Sequence, residues 1–206
     1  MTIEELITIA EDFYGNDKES NTQGSSLWLI KTHAEIAKDY FRLHPEIAAD
    51  NITEIELLSI IMLEGFGSEL IQTAAYDPQQ INPVTRVLIE SLDSALHKIQ
   101  KNTEVVLYRN DSEDINEYTI GQNITINGFF TTSKDDFHNA HSIKWIITPL
   151  SSEATKAHEI YRLYNHGSNC PYPENQIEFE RGATFVITAI ENGDNFKTIH
   201  IRETES

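Results

Sequence analysis

The hydrophobic period changes near residue 100, and that change constrains the chain more than any other feature. Before it, apolar side chains recur at helical spacing: Ile3, Leu6, Ile7 and Ile9, then Leu27, Leu29, Ile30, Ile36 and Tyr40. A third helical stretch runs from Glu54 to about Tyr76, where Gly65-Phe66-Gly67 predicts a break. A fourth opens at Asn82-Pro83, a cap followed by proline at the first helical position, and runs to about Ile99. Residues 14–26 and 77–82 are polar and read as loops. Beyond residue 100 the apolar segments become short and β-branched, at 105–108, 123–126, 128–131, 143–148, 176–179, 184–189 and 197–201. One amphipathic stretch, Ser151 to Tyr161, interrupts them. Helices first and strands later predict an α+β fold, an N-terminal helical bundle followed by a mixed, mainly antiparallel β core. The expected division is a helical lobe at 1–100, packing on a core at 101–206.

Charge and cysteine count narrow the function. With 33 acids against 15 bases the chain carries −18, which repels phosphate backbones and anionic lipid and disfavours broad nucleic-acid binding. A single cysteine, Cys170, excludes an internal disulfide and any Cys-rich zinc module. No apolar run approaches the roughly 20 residues a bilayer span needs. The start, Met1-Thr2-Ile3-Glu4-Glu5, lacks the basic-then-apolar pattern of a signal peptide. A cytoplasmic protein, or one exported without a classical signal and acting in a target cell's cytoplasm, is expected.

Three segments of the second half carry possible chemistry. Tyr108-Arg109 ends an apolar strand, Phe129-Phe130-Thr131-Thr132-Ser133 forms a hydroxyl tract, and 172–185 begins Tyr172-Pro173-Glu174-Asn175-Gln176-Ile177-Glu178. Each has a plain structural explanation. A strand-terminal Arg is commonly half of a weak surface ion pair. Hydroxyls suit an edge strand entering a turn, and acids in so acidic a chain suit a polar strand face.

Taken in order, the three segments resemble the Arg / Ser-Thr-Ser / Glu-x-Glu mono-ADP-ribosyltransferases, the fold of the clostridial binary-toxin enzymes and exoenzymes, over residues 92 to about 201. The resemblance implies a β core of that type and NAD as substrate, with nicotinamide released and no metal. It implies that Tyr108, Arg109, Thr132 and Ser133 bind NAD, Arg109 anchoring the phosphate or ribose through its permanently charged fork. Thr131 stands at the first Ser, which buttresses the catalytic carboxylate, and Phe137 stands where an aromatic stacks on nicotinamide. His138, His141 and His166 read as loop histidines rather than metal ligands.

Counting back from Gly182 and Phe185 places Gln176 at the family's catalytic Glu and Glu174 two residues before it. That register predicts a weakened enzyme, because Gln keeps the shape but lacks the charge that stabilises an oxocarbenium-like transition state. The Gln is then either an introduced substitution or the natural residue. The alternative register uses Glu178-Phe179-Glu180, which leaves only Arg181 before the glycine. In the family, Glu rather than Gln two places before the catalytic residue goes with arginine acceptors. Glu174 is accordingly expected to activate an arginine on a protein acceptor, with Tyr172 contacting it. An inhibitor or antitoxin is a further possible partner. The rival functions are ADP-ribosylation of nucleic acid and a catalytically silent NAD-binding or interaction module.

Overall fold

The structure is a computed structural model that describes residues 1–15, 19–111, 117–136, 143–165, 175–193 and 196–205. The chain divides into two compact units, Met1–Ile99 and Gln100–Ser206.

The first unit is helical: α1 (Ile3–Tyr14), α2 (Ser26–Leu43), α3 (Pro45–Ala49), α4 (Glu54–Glu64), α5 (Ser68–Tyr76) and α6 (Pro83–Leu96). Local sequence sets their starts. Thr2 with Glu5, Thr53 with Glu56, and Asn82 with Thr85 form reciprocal caps, and Pro83 follows Asn82 at the first helical position. The break between α4 and α5 falls at Gly65-Phe66-Gly67, as the sequence predicts. Close approach demands those glycines: a Cβ on Gly65 would lie 2.9 Å from His33 Nε2, and one on Gly67 2.8 Å from Met62 Cε. The short α3, opened by Pro45, was not expected. Along α4 every residue from Ile55 to Leu63 is buried, so this helix is the axis of the bundle.

One buried acid, Glu56, lies at the edge of that core and pairs with Lys98, whose side chain reaches it from the surface. Glu56 accepts hydrogen bonds from Ser94 and from Lys98 Nζ, the latter at 2.6 and 2.8 Å, and caps α4 through the Thr53 N–H. Burial pushes its pKa upward, but Lys98, Ser94 and Thr53 outweigh it and hold the carboxyl below its ordinary value. No single helix among the described residues is long and apolar enough to cross a membrane.

The second unit holds β1 (Leu107–Asp111), β2 (Asn123–Ile126), β3 (Phe130–Ser133), β4 (Ile143–Thr148), β5 (Ala157–His158), β6 (Gln176–Phe179), β7 (Ala183–Asn192) and β8 (Lys197–Thr204). Together they form one sheet in the order β2-β7-β8-β4-β1-β3-β6-β5. Among the described strands only β4 and β8 run parallel. Alternation gives the sheet its core: Leu107, Phe130, Trp145, Ile147, Ile177, Phe179, Phe185 and Ile201 form one buried cluster. Phe130, Phe179 and Phe185 meet pairwise at ring-centroid distances of 5.2–6.0 Å, which clamps β3 to β6.

The stretch 151–161 folds as a turn, the two-residue β5 and a 3-10 turn, Ile160–Arg162, rather than as one amphipathic element. Buried Glu203 explains this. Its carboxylate accepts hydrogen bonds from Leu150 N, Lys156 N and the Thr155 hydroxyl, giving those N–H groups a tertiary partner in place of helical carbonyls.

Candidate active site

The site is built where β1, β3 and β6 adjoin. β3 and β6 pair antiparallel, with Thr131 opposite Glu178, Thr132 opposite Ile177 and Ser133 opposite Gln176. Opposed residues share a face, so the phenylalanine core holds Phe130, Thr132, Ile177 and Phe179 while Thr131, Ser133, Gln176 and Glu178 share the other side. β1 touches β3 at one pair, Tyr108 with Ser133. One residue further along, Arg109 sends Nη1 to the Thr131 carbonyl at 2.8 Å, and its guanidinium lies 5.2 Å from the Phe130 ring centre.

Glu178 is the unusual group. It is fully buried, and neither carboxylate oxygen has a hydrogen-bond partner among the described residues. Burial pushes its pKa up to about 8; the Thr131 hydroxyl and the Arg109 charge pull the other way, neither closing a hydrogen bond to it. A buried polar group left unbonded costs stability, and such groups concentrate where a ligand completes them. Beside it, Gln176 Oε1 is also buried and unpartnered among the described residues.

Hydroxyls nearby are mostly committed. Thr132 donates to the Ile177 carbonyl at 2.7 Å on the core side, so it ties β3 to β6. Ser133 donates to the Asn175 carbonyl and accepts from Asp135 N. Asn175 is held by Asp135 Oδ2 at 2.8 Å, which fixes the start of β6. Tyr108 carries Lys144 5.4 Å from its ring centre. Phe137, Tyr172 and Glu174 lie outside the described residues, as do Cys170, His138, His141 and His166. No group of three or more His, Cys, Asp or Glu among the described residues is placed to hold a metal.

No protein-family model and no curated protein matches the sequence. Solved structures do match. The type III effector XopAI of Xanthomonas axonopodis pv. citri aligns over 98% of this chain and 87% of its own, at 15% identity and a TM-score of 0.68. Exoenzyme S of Pseudomonas aeruginosa, solved with human 14-3-3 protein beta and Carba-NAD, aligns over 98% and 88%, at 10% identity and TM-score 0.65. The ADP-ribosyltransferase toxin Plx2a of Paenibacillus larvae aligns over 84% and 96%, at 18% identity and TM-score 0.59. The chain has the fold of the mono-ADP-ribosyltransferase toxins.

Within that fold, Arg109, Thr131 and Glu178 come together, and the residue facing Thr131 is Glu178 rather than Gln176. Only Glu180, Arg181 and Gly182 separate β6 from β7. The cross-strand pairing ties the hydroxyl tract to the acidic strand without reference to that turn. Asp111, which holds Arg109, and Trp145, which holds Asp111, were not foreseen. The period-2 spacing of Arg109 and Asp111 was the available signal for the first.

Proposed function

We propose that this chain is an NAD-dependent mono-ADP-ribosyltransferase in which Glu178, not Gln176, is the catalytic carboxylate. The observation that carries the proposal is a buried carboxylate, without a hydrogen-bond partner among the described residues, opposite Thr131 and within the field of Arg109. Arg109 anchors the NAD pyrophosphate, because its fork stays charged at any working pH. Cleavage of the nicotinamide–ribose bond builds positive charge on the ribose, and ionised Glu178, bonded to the ribose 2′-hydroxyl, stabilises it more in the transition state than in the ground state. Nicotinamide leaves with the bonding electrons, and the acceptor side chain attacks the exposed carbon and releases its proton to solvent. Thr131 supports the carboxylate, while Tyr108 and Ser133 line the nicotinamide end; the stacking role that the resemblance gives to Phe137 lies outside the described residues. Thr132, committed to Ile177, acts on the strand rather than on the dinucleotide.

On this register the enzyme is not disarmed. Gln176 takes the place two residues before the catalytic carboxylate, which the resemblance gives to Glu in arginine-specific enzymes. A neutral amide donates and accepts but offers a guanidinium no charge, so the acceptor is a neutral side chain on a protein rather than arginine. Contact with the acceptor remains the role that the resemblance gives to Glu174 and Tyr172, which lie outside the described residues. The net charge of −18 disfavours a nucleic-acid acceptor. Likeness to an effector and to toxins supports action in a target cell's cytoplasm after export.

Labelled NAD, cell lysate and mass spectrometry of the modified peptides test the reading. Label on a neutral side chain, with Gln176→Glu leaving NAD hydrolysis within about threefold while redirecting transfer, supports it. Label on arginine, or a steep rise in hydrolysis by Gln176→Glu, restores Gln176 to the catalytic position. NAD binding without turnover in the unaltered protein makes it a silent module.

A further inference from the structure

Arg109 does not reach its place unaided. Strand period puts Arg109 and Asp111 on one side of β1, and the β1–β4 register sets Trp145 directly across from Arg109. The three side chains interlock. Asp111 Oδ1 accepts from Arg109 Nε at 3.0 Å and Nη2 at 2.8 Å, and Oδ2 accepts from Arg109 Nε at 3.1 Å and Trp145 Nε1 at 2.8 Å. Trp145 is 6% exposed and packs edge-on against Tyr118 at 5.3 Å. An ion pair between side chains about one-third exposed would ordinarily contribute little and wander among rotamers. Here an immobile indole N–H pins the carboxylate, and the carboxylate grips one edge of the guanidinium. Nη1 is thereby turned toward the Thr131 carbonyl.

We propose that Asp111, pinned by Trp145, is a positioning residue that fixes the aim of Arg109 before NAD arrives. This rests on the reading of Arg109 as the NAD anchor. A guanidinium already oriented loses less side-chain freedom on binding, so Asp111 acts on NAD affinity and not on bond cleavage. Asp111 touches no substrate; its effect passes through Arg109.

Asp111→Asn is the informative variant, because Asn has one acceptor oxygen for the donors that the carboxylate satisfies and cannot keep the clasp. NAD hydrolysis is measured for the unaltered protein, Asp111→Asn, Arg109→Lys and the double variant. The indole N–H signals of Trp145 and of Trp28, the other tryptophan, are followed by NMR. Asp111→Asn is expected to move the Trp145 signal but not that of Trp28, and to raise KM for NAD about tenfold with kcat within about twofold. In the Arg109→Lys background the same substitution is expected to change KM by less than about twofold, since the group it positions is gone. An unchanged KM, or an equal penalty in both backgrounds, overturns the inference while leaving the enzymatic reading intact. An unaltered protein that fails to bind NAD overturns that reading, and this inference with it.

Discussion

Replacing Glu178 by Gln should stabilise the protein in alkali while crippling it, and the size of the effect follows from the site. The carboxyl moves from an ordinary 4.5 to about 8 because it is buried, with no hydrogen-bond partner among the described residues. Between those values the unfolded chain has released the proton and the folded chain has kept it, so stability falls as pH rises, by about 1.4 kcal/mol per pH unit. From pH 5 to pH 9 the loss attributable to Glu178 comes to about 4 kcal/mol. Gln has nearly the same shape and does not titrate. Its own unbonded amide imposes a penalty of about 1–3 kcal/mol, but an equal one at every pH. Denaturant unfolding of both proteins across this range isolates the term, because all other titrating groups cancel in the difference. Glu178→Gln should gain on the unaltered protein by about 4 kcal/mol between pH 5 and 9, the gain levelling off above about 8. A difference that stays constant with pH would refute the assignment of a buried, unpaired acid at this position.

The same group predicts the rate profile: kcat/KM for NAD hydrolysis should rise with pH and level off above about 8, since only ionised Glu178 stabilises the ribose charge. In the helical unit, Lys98→Met should destabilise by about 2–3 kcal/mol at pH 7 by stranding Glu56. Glu56 sits below its ordinary pKa, so its contribution is present above about 4.5 and lost as pH falls through the folded value. Acid lability should therefore shrink in Lys98→Met, as read by unfolding at pH 3 and 7. Gly65→Ala should cost about 1–3 kcal/mol in thermal unfolding, because the added methyl meets His33 and the Ile61 carbonyl.

Period was legible in the sequence; register was not. The helix starts at Thr2, Thr53 and Asn82 and the break at Gly65–Gly67 follow from local chemistry that a window of a few residues contains. The strands at 123–126, 143–148 and 176–179 are likewise local, fixed by β-branched and aromatic alternation. The β5 region was not, because Glu203, about fifty residues away in sequence, decides where its N–H groups go. The site shows the same division. Arg109, the hydroxyl tract and the acidic strand were each visible as residues, but whether Thr131 faces Gln176 or Glu178 is a property of strand pairing. A two-residue shift along a strand preserves the face and changes the residue, so counting across a turn does not by itself choose between Gln176 and Glu178. The clasp of Asp111 and Trp145 depends on two strands 34 residues apart, and the sequence alone carried only the Arg109/Asp111 half of it.

Steady-state NAD hydrolysis by three purified proteins, the unaltered chain, Glu178→Gln and Gln176→Ala, is the most direct trial of the catalytic assignment. Glu178→Gln should lower kcat by a factor of about 10² to 10³ with KM little changed, and Gln176→Ala should stay within about tenfold of the unaltered chain. Full turnover by Glu178→Gln, or a collapse confined to Gln176→Ala, would contradict it.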